Sequence, residues 1–180
     1  VDFGSKNHGA INSYLKAGKD TVQVLNCYLE SNRLTTKDKD ITKWEKDNDP
    51  IKEIYNKLSD AAEKRRKQAE QVVSKKNNKI PSIVCGDMND VPSSFVYRRL
   101  RGDYHDAFLS LGKGLGNTFH EGIYNFRIDY IFFNNFVDLG YSKFGGAQVR
   151  ENNGQIVVSI IDNVLNNVGN IGFVTEKNSM

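Results

Sequence analysis

Two cysteines, three prolines, two methionines and one tryptophan are spread over 180 residues, and each scarcity excludes something. A disulfide scaffold needs more cysteine in a shorter chain. Cys27 and Cys85 both lie inside apolar runs that read as strands, and are expected as buried thiols. No apolar run reaches the roughly 18–20 residues that a membrane helix requires. The opening Val1-Asp2-Phe3-Gly4 shows no charged region leading into an apolar core, so no signal peptide is expected within these residues, and no compartment can be read from them. Charge of one sign is also scarce. With 25 basic and 22 acidic residues the net charge is +3, an excess that suits a phosphate-bearing substrate without implying one. No internal repeat is visible.

What is present reads as an α+β pattern in a chain long enough for one domain with a sizeable core. Ala10 to Leu15 and Thr21 to Leu29, joined by Ala17-Gly18-Lys19-Asp20, read as a hairpin whose second strand is apolar enough to be central. Residues 33–48 are polar and charge-rich, with Trp44 as the one large apolar anchor, and read as a surface excursion. Asp49-Pro50 signals a helix start. Ile51, Ile54, Tyr55, Leu58, Ala62, Ala69, Val72 and Val73 then recur at helical spacing. Lys64-Arg65-Arg66-Lys67 falls on this helix and is expected as a solvated face, with a phosphate-facing arginine as the alternative. A strand at Ser82–Cys85, a short helix opened by Pro92-Ser93-Ser94 and a β-prone strand at Arg127–Phe133 follow. From Gly145 the chain turns Asn- and Gly-rich, with Ile156–Ile161 as its one obvious strand. This suggests a division into residues 1–144 and a divergent tail, 145–180, packed on the same domain.

Three segments carry candidate chemistry. Ile83-Val84-Cys85-Gly86-Asp87-Met88-Asn89-Asp90 runs a buried strand into two polar residues spaced two apart, which in extended chain point the same way. Asp87 can orient or deprotonate a water, and Asn89 can bond a phosphoryl oxygen without adding negative charge. The plainer alternative is that either residue caps a turn. Arg127-Ile128-Asp129-Tyr130-Ile131 places two charges at the mouth of an apolar strand, where an ion pair or a functional site would satisfy them. Tyr28, in Leu25-Asn26-Cys27-Tyr28-Leu29-Glu30-Ser31, stands near a strand end beside polar residues.

In this order and at these separations the segments resemble the endonuclease/exonuclease/phosphatase (DNase I-like) family over residues 1–140, and Phe3-Gly4-Ser5-Lys6-Asn7-His8-Gly9 resembles a mid-domain strand of bacterial members. The resemblance implies a four-layer α/β/β/α sandwich, of which this chain lacks the N-terminal strands. It also implies hydrolysis of a phosphoester in nucleic acid, phospholipid or inositol phosphate, with Mg²⁺ or Mn²⁺ as cofactor. Asp87 would orient the attacking water, Asn89 would contact the phosphate, and Asp129 would hold a catalytic histidine. Tyr28 stands where many relatives have a histidine and some have tyrosine. Two parts of the family pattern are missing: the metal-binding Glu of the first strands, and the Ser-Asp-His segment after the Arg-Ile-Asp strand. His8, His105 and His120 lie outside that context and are expected as surface or loop residues. Two readings follow, an incomplete hydrolase domain or a non-catalytic remnant that binds or only supports.

Overall fold

Gly9–Ala17 (β1) and Asp20–Tyr28 (β2) pair antiparallel, Ala17 opposite Asp20, so the two apolar runs form the expected hairpin strands. In the computed structural model, residues 1–17, 20–32, 34, 50–112, 114–121 and 124–135 are described, together with short strands between 137 and 161. The polar excursion at 35–49, its Trp44, the Asp49 cap and the chain after 161 lie outside the described residues.

Helix α1, Pro50–Val73, crosses from β2 to Ser82–Asp87 (β3), which pairs parallel with β2. Asp129–Phe133 (β7) pairs antiparallel with β3, and the two-residue β4, His105–Asp106, closes the far edge. The result is a mixed five-stranded sheet in the order β1-β2-β3-β7-β4. As expected, β2 is interior. Helix α2, Phe95–Arg101, is capped by Ser94, whose side chain accepts the Tyr97 N–H, and α3, Ala107–Leu111, is capped by Asp106. Phe119–Glu121 (β5) and Tyr124–Phe126 (β6) form a hairpin. Val137–Asp138, Gly140–Tyr141, Gly146–Gln148, Arg150–Asn152, Gln155–Val157 and Ile160–Ile161 (β8 to β13) form two small three-stranded sheets. The strand expected over Ile156–Ile161 is described as β12 and β13.

Strand alternation divides the sheet's residues between two faces. Leu25 and Cys27, Val84, and Tyr130 and Phe132 pack with Ala69 and Val72 of α1 and with Val96, Tyr97 and Leu100 of α2. Val22 and Val24, Ile83 and Cys85, and Phe133 with Ala107 form a second cluster on the opposite face. The two cysteines are therefore buried free thiols on opposite faces. Burial is the main cause that pushes both thiols up, Cys85 to about 12, so neither is a thiolate nucleophile near neutral pH.

Helix α1 departs from its expected stripe. Ile51 and Tyr55 are exposed, as is Ala62, while Ala61, Arg65, Gln68, Ala69 and Val72 are buried. The buried stripe needs only the second half of the helix, because only that half meets the sheet and α2. Arg65 is thus not part of a solvated face. Lys64, Arg66 and Lys67 are exposed, and the last two pair with Glu63 on the same helix.

Gly86 sits in β3 at φ +125°, and a Cβ there would lie 2.0 Å from the Cys27 carbonyl oxygen. That close approach of β3 to β2 turns the chain into the segment after Asp87. Gly86→Ala is expected to cost about 3 kcal/mol or more, from strain and backbone displacement together. A urea midpoint unchanged from wild type would contradict this.

Candidate active site

The parallel register of β2 with β3 sets Tyr28 beside Asp87, and the antiparallel register of β3 with β7 sets Asp87 beside Asp129. Three candidates from distant parts of the sequence thus form one row across three adjacent strands. By alternation the row lies on the face of Val24, Cys85 and Ile131, opposite the face that α1 and α2 cover. Gly9 faces Tyr28 from β1, extending the row to the start of the hairpin. A shallow cleft of about 360 Å³ beside Tyr28 is lined by His8, Ile11 and Asn26 among others.

Asp87 is half-buried, and its Oδ1 accepts the Asn89 N–H at 2.8 Å. Among the described residues Oδ2 has no hydrogen-bond partner. Asn89 adopts the left-handed conformation, φ +49°, and its amide donates to the Leu29 carbonyl at 2.9 Å. The capping alternative is therefore real for both residues: Asp87 closes an Asx turn, and Asn89 ties that turn to the end of β2. Capping occupies one carboxyl oxygen and one amide hydrogen, and leaves the second of each. Just before β5, Thr118 Oγ1 accepts the N–H groups of Ile128 and Asp129, both at 3.1 Å, and its hydroxyl bonds to the Asp129 carboxylate.

Burial raises the pKa of Asp87 to about 6, the charge on Asp129 adds to the rise, and the Asn89 N–H and Arg65 pull it back. Burial also raises that of Asp129. A carboxyl whose folded pKa exceeds its unfolded value binds protons more tightly when folded, so stability falls as pH rises through the window from about 4 to about 6. Asp87→Asn removes the effect. It is expected to raise stability at pH 7 by an amount on the order of 2 kcal/mol, seen as a higher melting temperature, and to leave it unchanged near pH 4. Melts equal to wild type at both pH values would refute the coupling.

The charged partner of Asp129 is not Arg127. Arg127 is buried, and its Nη1 bonds Asp106 at 2.9 Å under the rings of Tyr130 and Phe108, whose centroids lie 4.8 and 4.9 Å away. The ion pair expected within the Arg-Ile-Asp strand thus forms across to β4 instead. Arg127 precedes β7, which begins at Asp129, so strand alternation does not hold the two side chains on one face.

His105 and His120 are exposed, as expected, and bond Asn135 and Asn125. His8 is not a surface residue. It is buried, its Nδ1 lies 3.0 Å from Glu30 Oε2, and its ring centroid is 5.0 Å from that of Tyr28. The alternation of β1 begins only at Gly9, so the burial of His8 had no periodic signal in the sequence. Tyr28 itself is 45% exposed, which excludes the reading of it as a core tyrosine.

A cation fits the Asp87–Asp129 pair on donor chemistry: two half-buried carboxylates whose mutual repulsion raises a pKa offer hard oxygen ligands. Among the described residues no three His, Cys, Asp or Glu side chains gather into a larger metal cluster.

A mixed sheet with α1 and α2 on one face and an acidic pair at the strand ends on the other makes this an α+β protein. The family model for the Endonuclease/Exonuclease/phosphatase family matches residues 9–146, and the chain belongs to that family. Its members generally depend on divalent metal and act on phosphoesters. Among solved structures, the human Nocturnin catalytic domain with bound sulfate anion is similar at 18% identity and a TM-score of 0.43, over 86% of this chain and 52% of that one. The beta toxin 275-280 from Staphylococcus aureus is similar at 11% identity and a TM-score of 0.43, over 84% of this chain and 53% of that one. The chain spans about half the length of these structures. No curated protein matches it. Among the described residues no helix is long and apolar enough to cross a membrane.

Proposed function

We propose that this chain contributes the acidic turn of a divalent-metal-dependent phosphoester hydrolase, with Asp87, Asn89, Asp129 and Tyr28 as its site residues. The observation that carries the reading is the Tyr28–Asp87–Asp129 row, with Asn89 two residues beyond Asp87. Asp87 and Asp129 would hold Mg²⁺ or Mn²⁺. Such an ion, when bound, neutralises phosphoryl charge and acidifies water. Asp87 orients the attacking water through the oxygen not engaged by Asn89, whose remaining amide hydrogen bonds the phosphate. A histidine held by Asp129, as in relatives, is not among the described neighbours of that residue. Tyr28 presents an uncharged hydroxyl at the cleft rim.

The fold that accompanies this reading is the four-layer sandwich, with its N-terminal strands absent from these residues. Ile11 and Leu15 support it: β1 register places them on the Val22–Asn26 face, where they are 66% and 43% exposed on a surface a second sheet would cover. Within this reading residues 1–144 form the family domain and 145–180 a divergent tail against it.

The test is hydrolysis with millimolar Mg²⁺ of single-stranded nucleic acid, a sphingomyelin-like diester and an inositol phosphate, alongside melting with and without the ion. Turnover of any one, with a melting temperature that rises with Mg²⁺ as mass action requires, is expected. Neither turnover nor a shift at 10 mM (about the upper end of useful occupancy for a two-carboxylate site) would favour the non-catalytic remnant.

A further inference from the structure

Arg65 and Gln68 are the two long polar side chains on the buried stripe of α1, at the places where that helix crosses the end of β2. Gln68 Oε1 accepts the Glu30 N–H at 2.8 Å, an ordinary anchoring contact. Arg65 does more. Its Nη1 donates to the Glu30 carbonyl at 3.0 Å and to Asn32 Oδ1 at 2.8 Å, while its Nε reaches Asp90 Oδ2 at 3.2 Å. One guanidinium therefore spans the chain leaving β2 and the chain leaving β3. Between those two chains lie Tyr28 on one side and Asp87 and Asn89 on the other.

We propose that Arg65 is a positioning residue for the Asp87–Asn89 turn: by fastening Asp90 to the end of β2 it sets how far Asn89 and Asp87 stand from Tyr28. The inference rests on the reading of this turn as part of a phosphoester site. Asp90 follows Asn89 directly, and its carbonyl also accepts the Tyr130 hydroxyl at 2.9 Å. Asn89 in its left-handed conformation is thus gripped on both sides, by its own amide on Leu29 and by the Arg65–Asp90 bond one residue on. Such a conformation in a residue other than glycine persists where the surroundings enforce it. The helix does not need Arg65 merely to seat itself, because Ala61, Ala69 and Val72 are already buried. Three acceptors in different directions also match a planar fork and not a single ammonium. Lysine at this place keeps the charge but gathers its donors on one nitrogen, which does not match acceptors divided between Nε and Nη1.

The experiment compares wild type, Arg65→Lys, Asp90→Asn and Gln68→Leu in the full chain. Two readouts are used: steady-state hydrolysis of whichever diester wild type turns over, and amide exchange of Asn89 against Val84 as an internal reference. Arg65→Lys and Asp90→Asn are expected to lower kcat roughly 10- to 100-fold with KM within about twofold. They should speed exchange at Asn89 at least about tenfold with Val84 unmoved, and Gln68→Leu should do neither. If wild type is active but Arg65→Lys and Asp90→Asn keep both kcat and Asn89 protection, the proposal is overturned. If every variant loses Val84 protection along with Asn89, Arg65 is only a fold anchor and the proposal also fails. If wild type has no Asp87-dependent activity, the hydrolase reading fails by itself, and the exchange data still decide whether Arg65 sets the turn.

Discussion

Asp106→Ala is expected to remove about 3–5 kcal/mol of stability, a large share of the total for a domain of this size. The side chain is buried and receives Arg127 Nη1, the Tyr97 hydroxyl at 2.8 Å, and the N–H groups of Phe108 and Leu109 at 2.9 and 3.3 Å. Alanine strands a buried guanidinium and removes the cap of α3 together. Asp106→Asn keeps an acceptor for the cap but not the charge, so it should fall between alanine and wild type. Replacing the pair, as Asp106→Leu with Arg127→Met, should recover part of the loss, because two matched apolar groups leave no orphaned charge. Urea unfolding of the four proteins decides the matter. A single Asp106→Ala variant within about 0.5 kcal/mol of wild type would show that the buried network carries no net stability.

Asp87→Ala is expected to lower Mg²⁺-dependent hydrolysis by about 10²- to 10³-fold while raising stability at neutral pH. Few substitutions do both. Loss of activity through unfolding lowers the melting temperature. Loss of a desolvated carboxylate raises it, since burial first and the charge on Asp129 second disfavour the ionised form of Asp87. Rate and melting measured on the same preparation therefore separate a site residue from a structural one. Activity retained in Asp87→Ala would remove this residue from the mechanism. A melting temperature lowered at pH 7 would instead mean that its bond to the Asn89 N–H outweighs the repulsion. Tyr28→Phe is a milder companion. It keeps the ring beside His8 and removes only the hydroxyl.

The structural role of Arg127 and the site role proposed for Asp87 stand on one physical distinction. Arg127 meets a partner of opposite charge in a dry setting, and the pair holds α3, β4 and β7 together. Asp87 meets a like charge at the mouth of the sheet. A buried network of the first kind supports a scaffold, and a repulsive pair of the second kind is what a cation-binding site leaves exposed to its ligand.

Much of this was legible in the amino-acid order alone. Alternation and apolar runs identified β2 and β3, β-propensity identified β7, turn chemistry marked the hairpin and the start of the helix after Ser94, and Gly-Asp-x-Asn-Asp with Arg-Ile-Asp marked both ends of the acidic pair. These are local properties, set by backbone geometry and side-chain spacing within about ten residues. What the sequence could not assign were partners. Only tertiary packing decided that Arg127 bonds Asp106 and not its neighbour two places on, that His8 is buried against Glu30, and that Arg65 leaves the basic run to reach Asp90. Helical periodicity ranks positions by apolarity, and so it misplaces a buried arginine whose three acceptors come from segments about 25 to 35 residues away. A pairing energy depends on both ends of a contact, and one end is invisible until the strands are in register.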